Sequence, residues 1–179
     1  NPEDLKASHR NYYRKYFPLF AKKATHIITV SEYSKQDICA TYNVPESKVT
    51  AIWNGASEQF QALSEAEKQE VRNTYSEGQE YFLFVGAIHP RKNVRRLIEA
   101  YQLYRNENPN ATEKLVIVGT ELWSKAGFDL EISENLKNDI LFTGHLPLEK
   151  LSKVMASAKI FAFVPYFEGF GIPLVEAMR

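Results

Sequence analysis

The chain has 179 residues, 44% of them hydrophobic and 25% charged, with 22 basic side chains balancing 22 acidic ones. That balance excludes intrinsic disorder as the main state and nucleic-acid binding driven by bulk charge. A single cysteine, Cys39, excludes an internal disulfide framework. The four histidines (His9, His26, His89, His145) stand too far apart for a short metal-ligand motif. No apolar run approaches the roughly 20 residues that span a bilayer, and the first residues lack a signal-peptide pattern.

Taken in chain order, residues 9–23 read as a helix rich in Tyr, Phe, Arg and Lys. Residues 25–30 are largely β-branched and read as a buried strand. Ser31 caps a following helix that ends near Asn43, since Pro45 forbids continuation. Residues 49–53 read as a second strand, closed by Asn54-Gly55. Residues 56–64 are small and polar, a linker. Ser64 and Glu67 then form an S-x-x-E capping box that opens a helix to about Tyr75.

A regular alternation follows. Residues 81–85 are a strand, and Val94, Leu97, Ile98 and Tyr101 fall at i, i+3, i+4 and i+7 of an amphipathic helix. Strands are predicted at 115–118, 140–142 and 160–164, with a helix carrying Leu148, Leu151 and Met155 before the last of them. Pro173 suits the first turn of a final helix. Strand and helix alternating at this spacing indicate parallel sheets with helices on their faces. Both ends fall inside an element, so the chain reads as a piece of a larger protein. Residues 1–58 would be the end of one α/β domain, 59–75 a linker and helix, and 76–179 the first part of a second domain.

Ligands of open parallel sheets bind beyond the carboxyl ends of the strands. Gly86, Gly119 and Gly144 follow three of the strands, and the fourth leads to a loop holding Gly169 and Gly171. Any one such glycine is ordinary in a strand-to-helix turn; all together they favour a binding edge. His89-Pro-Arg-Lys-Asn93 puts Arg91 and Lys92 between the first strand and its helix, where the macrodipole disfavours cations unless an anion is bound. In Glu168-Gly-Phe-Gly-Ile-Pro-Leu-Val-Glu176, amides around Gly171 and Ile172 suit phosphate oxygens. Either glutamate can accept from two adjacent hydroxyls.

Glu168 and Glu176, with seven residues between and Gly-Phe-Gly-Ile-Pro inside, resemble the donor-site signature of retaining glycosyltransferases of the two-domain GT-B architecture. The similarity is to family four, the "group one" glycosyltransferases. Tyr81-Phe-Leu-Phe-Val-Gly-Ala-Ile-His-Pro-Arg-Lys-Asn93, Leu115-Val-Ile-Val-Gly119 and Ile140-Leu-Phe-Thr-Gly144 are similar to the family's first three C-domain strands. Ile28-Thr-Val-Ser-Glu-Tyr-Ser34 and Ile52-Trp-Asn-Gly55 resemble the end of its N-domain.

The resemblance implies Rossmann-like sheets incomplete at both ends, and transfer of a sugar from a nucleoside-diphosphate sugar to an acceptor hydroxyl. It implies that Glu176 binds the ribose and Glu168 the donor sugar's hydroxyls. Arg91 and Lys92 would stabilise the diphosphate. Amides at Phe170, Gly171 and Ile172 would hold sugar and phosphate, and Gly144 and His145 would border the base. On the residues alone, Gly86 and Gly119 would let a ligand approach the sheet edge closely. No metal cofactor is expected, because no paired Asp residues stand near these loops. Bacterial mannosyltransferases of polysaccharide assembly resemble this C-domain, which gives GDP-mannose a mild preference. One departure is Ala87, where many members carry Arg. This length of chain is expected to be inactive alone.

Two rivals stay open on the sequence: a sugar-nucleotide epimerase of the same architecture, and a catalytically incomplete nucleotide-binding module. The acceptor would be a carbohydrate or lipid-linked molecule. Residues 9–23 hold five cations and no acid, interleaved with Tyr12, Tyr13, Tyr16, Phe17 and Phe20. One hypothesis is contact with the inner face of an anionic membrane by an otherwise cytoplasmic protein; the other is a packed helix with a solvated basic side.

Overall fold

The computed structural model describes residues 7–120 and 132–179, and its first described element is helix α1 (Ala7–Lys23). Pro18 lies inside α1 and removes one backbone donor there. Strand β1 (Ile27–Thr29) pairs in parallel with β2 (Val49–Ala51), Ile27 opposite Val49. Helix α2 (Glu32–Tyr42) makes the crossover. Ser31 Oγ accepts from the Ser34 amide at 3.1 Å, and Asn43 ends the helix in the left-handed region at φ 51°. Ala21, Val44 and Val49 form a small core with Ile27, Ile38, Cys39 and Tyr42 packed on it. The strands are shorter than the β-branched runs predicted. After Thr29 the chain turns into the Ser31 cap, and the pairing ends with the Ile52 amide on Thr29 O at 2.8 Å.

Helix α3 (Glu65–Tyr75) opens on the predicted capping box, with Glu67 Oε2 accepting from the Ser64 amide at 2.9 Å. A sheet then builds from β3 (Tyr81–Val85), β4 (Lys114–Val118), β5 (Ile140–Gly144) and β6 (Ile160–Phe161). Its order is β5-β4-β3-β6, all parallel. Helices α4 (Val94–Glu107), α5 (Leu148–Ala156) and α6 (Ile172–Ala177) follow β3, β5 and β6 respectively.

Alternation along the strands sorts the core into two faces. Phe84, Leu115, Ile117 and Ile140 pack with Val94, Ile98 and Tyr101 of α4. Tyr81, Leu83, Val116 and Val118 pack with Val154 and Met155 of α5 and with Phe60. The Tyr81 hydroxyl donates to Val154 O at 2.6 Å, tying β3 to α5, and burial raises its pKa.

Charge gathers where the strands begin. Glu80, Glu113, Asp139 and Lys159 each stand just before a strand or its first pair. Lys159 Nζ lies 2.5 Å from Glu113 Oε1 and 2.7 Å from Glu80 Oε2, while Arg105 Nη1 meets Asp139 Oδ2 at 2.7 Å. Lys114 pairs with Glu77. The hydrogen bond from Lys159 holds the Glu113 carboxyl down at about 2.

By contacts the described residues form two compact units. One gathers the residues up to Gly55 with Glu168–Ile172; the other gathers Ala56–Phe167 and Pro173–Arg179.

Candidate active site

The carboxyl ends of the strands in the second unit carry the predicted glycines. Gly86, Gly119 and Gly144 have φ of 153°, 149° and 70°. Their backbones continue the ladder: the Gly86 amide donates to Val118 O, and the Gly119 amide to Gly144 O, both at 2.9 Å. Their reasons for being glycine differ. A Cβ on Gly119 would stand 1.9 Å from Gly86 O, so close packing of the chain on itself requires this glycine. A Cβ on Gly144 would meet nothing within 4 Å, so that edge lies open.

Beyond Gly86 the chain passes Ile88 and forms a 3₁₀ turn, Pro90–Lys92, that carries the two predicted cations. His89 Nδ1 accepts from the Arg91 amide at 3.1 Å and caps the turn. Arg91 and Lys92 therefore precede the first turn of α4 and lie outside it. Asn93, at φ 60° and ψ 27°, makes the switch from turn to helix. The Lys92 side chain folds back over Gly86, its Cε 3.7 Å from where a Cβ would stand. Lys92 Nζ sits 6.0 Å from the centre of the Phe163 ring. Arg91 Nη1 donates to Phe167 O at 2.7 Å.

The strand predicted over 160–164 is cut short. After Phe161 the chain makes one more sheet bond, the Ala162 amide to Leu83 O at 2.7 Å. It then leaves the ladder for the 90–93 turn. Asn93 Nδ2 donates to Val164 O at 3.1 Å, Pro165 has no donor, and the Tyr166 amide donates to Arg91 O at 2.9 Å. The Arg96 guanidinium lies 5.4 Å from the Tyr166 ring centre.

Glu176 stands in α6, and burial pushes its carboxyl above the usual range. It lines a cavity of about 310 Å³ with Phe60, Ser152, Met155, Met178 and Arg179, a lining that includes none of the three edge glycines or Lys92. His145 follows Gly144 and is exposed. The structure thus brings Gly86, Lys92, Gly119 and Gly144 together on one edge, with Arg91 braced beside them.

Glu168, Phe170, Gly171 and Ile172 group with the first unit. There Ser31 Oγ donates to Gly169 O at 2.5 Å, with Ser34 Oγ 3.3 Å from the same oxygen. Gly171 is buried with φ 93°, a conformation open to glycine alone without strain. Ser31 reads in the sequence as a helix cap, and nothing local announces its second bond. Asn93 was likewise unmarked, although Asn before a helix is a standard choice for the left-handed region. Among the described residues, no group of three or more His, Cys, Asp or Glu is placed to hold a metal ion.

Parallel sheets with helices between their strands are the fold of the GT-B glycosyltransferases. The chain belongs to the group 1 glycosyltransferases: residues 65–179 match the family "Glycosyl transferases group 1", and residues 3–60 match "Glycosyltransferase Family 4". It is 31% identical over 154 residues to the O-antigen chain mannosyltransferase B of Escherichia coli, covering 85% of this chain and 40% of that protein. It is 26% identical over 167 residues to the O-antigen chain mannosyltransferase RfbU of Salmonella typhimurium, covering 93% and 43%. The chain therefore spans about two fifths of the length of these relatives. In fold it is similar to Anabaena Alr3699/HepE, solved in complex with UDP-glucose, at a TM-score of 0.78 and 19% identity over 99% of this chain and 48% of that one. WaaG, a glycosyltransferase involved in lipopolysaccharide biosynthesis, follows at a TM-score of 0.73 and 21% identity over 98% and 50%.

Proposed function

We propose that this chain supplies the donor-side residues of an enzyme that moves a sugar from a nucleoside diphosphate to an acceptor hydroxyl, with retention, in polysaccharide or glycolipid assembly. The observation that carries the reading is Lys92 folded over Gly86 at the carboxyl edge of the sheet. Family membership supports transfer chemistry. The mannosyltransferase relatives favour a mannosyl donor, GDP-mannose first.

The transition state separates a positively charged sugar ring from a diphosphate leaving group. Positive charge fixed at the phosphates acts where negative charge grows, so it lowers the barrier more than it tightens ground-state binding. Lys92 supplies that charge, with Arg91 next to it. Amides at Phe170, Gly171 and Ile172 hold sugar and phosphate oxygens. Glu176 accepts from the ribose hydroxyls, and Gly144 and His145 border the base. Glu168 binds hydroxyls of the donor sugar and steadies its charge; it is not the nucleophile. The acceptor attacks from the face the diphosphate leaves. No metal enters this scheme.

The same proposal seats the enzyme at an anionic membrane surface through α1. Tyr12, Tyr13, Phe17 and Phe20 are exposed there, and neighbouring rings stand 4.7 to 6.2 Å apart. No helix among the described residues is long and apolar enough to cross a membrane.

Product analysis of the full-length enzyme with GDP-mannose and UDP-glucose, with and without acceptor, tests the reading. Acceptor-dependent glycosylation, lowered at least tenfold by Lys92→Ala, is the expected result. Epimerised or hydrolysed donor without any acceptor requirement would replace it with the epimerase reading.

A further inference from the structure

Three hydrogen bonds join the segment after β6 to the cation-bearing turn after β3, all within the second unit. Asn93 Nδ2 donates to Val164 O at 3.1 Å, the Tyr166 amide donates to Arg91 O at 2.9 Å, and Arg91 Nη1 donates to Phe167 O at 2.7 Å. They take over where the sheet stops. β6 pairs with β3 only at Ile160 and Phe161, and the last ladder bond is from Ala162 to Leu83 O. From Val164 onward the segment has left the β3 ladder, and these bonds hold it to the 90–93 turn. That segment leads straight into Glu168, and the turn carries Lys92.

Asn93 is placed to do two things in this clasp. Its backbone is left-handed, φ 60° and ψ 27°, which ends the 3₁₀ turn and starts α4 in one residue. Asn tolerates that region far better than most residues with a side chain. Its side chain makes no cap bond to α4, unlike Ser31 and Ser64 at their helices. Instead, the amide reaches across to Val164 O. The backbone of Asn93 thus serves the turn, and its side chain serves the segment after β6.

We infer that Asn93 is a positioning residue for transfer. Its side-chain amide fastens the 164–167 segment to the turn bearing Lys92. Arg91 is the second half of the same clasp, through its backbone carbonyl and its guanidinium. This rests on the transferase reading above and names a device within it. Misplacing reacting groups by an ångström costs turnover more than it costs binding, so the effect belongs in kcat.

The test uses the full-length enzyme and three forms: wild type, Asn93→Gly and Asn108→Ala. Glycine adopts φ 60° without strain, so Asn93→Gly removes the amide and keeps the backbone path. Asn108→Ala is the matched control. Asn108 Nδ2 donates to Tyr104 O at 2.8 Å at the far end of the same helix, so its loss removes a comparable bond away from the site. Asn93→Gly is expected to lower kcat at least tenfold with the donor KM within threefold of wild type. Asn108→Ala is expected to leave kcat within twofold. Hydrogen–deuterium exchange of the same forms reads the clasp without any turnover. In Asn93→Gly, a peptide covering residues 164–168 should exchange at least fivefold faster, while peptides of β3 and β4 stay unchanged. Wild-type kcat and wild-type exchange in Asn93→Gly would overturn the inference, as would equal losses in both variants. Absence of any transfer by the wild type would defeat the transferase reading alone; the exchange experiment would still decide whether Asn93 fastens the segment.

Discussion

Replacing Gly119 with alanine separates two explanations of the glycine-rich edge, and the structure gives a magnitude. The new Cβ would stand 1.9 Å from Gly86 O, against about 3.3 Å for a close carbon–oxygen contact. Gly86 O belongs to backbone, and the Gly86 amide is already bonded to Val118 O at 2.9 Å, so neither strand can retreat without loosening the ladder. Overpacking of this kind costs about 1–3 kcal/mol. Holding alanine at φ 149° adds about 1–3 kcal/mol of backbone strain. The expected loss is thus on the order of 4 kcal/mol, or roughly 8–16 °C in melting temperature at this chain length. Gly144→Ala meets no neighbour within 4 Å and sits at φ 70°. Its cost is the left-handed strain alone, about 1–2 kcal/mol, or roughly 2–8 °C. Thermal unfolding of both variants by circular dichroism measures the difference. A Gly119→Ala protein melting within about 2 °C of wild type would refute the packing argument, since 1 kcal/mol alone shifts a chain of this size by that much.

Two further outcomes follow from named contacts. The Lys159 hydrogen bond holds the Glu113 carboxyl at about 2, below its ordinary 4.5. A depressed carboxylate stabilises the fold above its unfolded pKa, and that contribution is lost as pH falls from about 4.5 toward 2. Denaturant titrations of Glu113→Gln across that window should show a flatter acid limb than wild type; identical limbs would remove Glu113 from the account. Vesicles tell the role of α1: co-sedimentation should rise as anionic lipid is added and fall when Arg14 and Lys15 become glutamine. Binding that ignores lipid charge would leave α1 with no membrane role.

What the sequence made legible was local or periodic. The Ser64–Glu67 capping box is a reciprocal bond across three residues, so its letters suffice. Strands β3 and β4 were legible as short apolar runs, the pattern of strands buried on both faces. The glycine edge and the cation pair were visible because strand-to-helix turns have a fixed place in parallel sheets. What stayed hidden depends on distant partners. Ser31 and Gly169 lie 138 positions apart, and Asn93 and Val164 lie 71 apart. The strand over 160–164 was overestimated for the same reason. Its β-branched and aromatic residues suit a strand, yet a rival set of acceptors and donors in the 90–93 turn captures the chain after Ala162. Gly119 adds a reason for glycine that the sequence does not announce: Gly86 O leaves no room for a Cβ there.

The proposed donor-nucleotide site of this group 1 glycosyltransferase chain makes a direct demand on binding. Calorimetric titration of the full-length protein with UDP, GDP, ADP and dTDP, repeated on Lys92→Ala and Glu176→Ala, tests it most directly. Selective binding of one nucleoside diphosphate, GDP first, weakened at least tenfold in each variant, is the expected result. A folded protein that binds none of the four, or binds one equally well in all three forms, would contradict it.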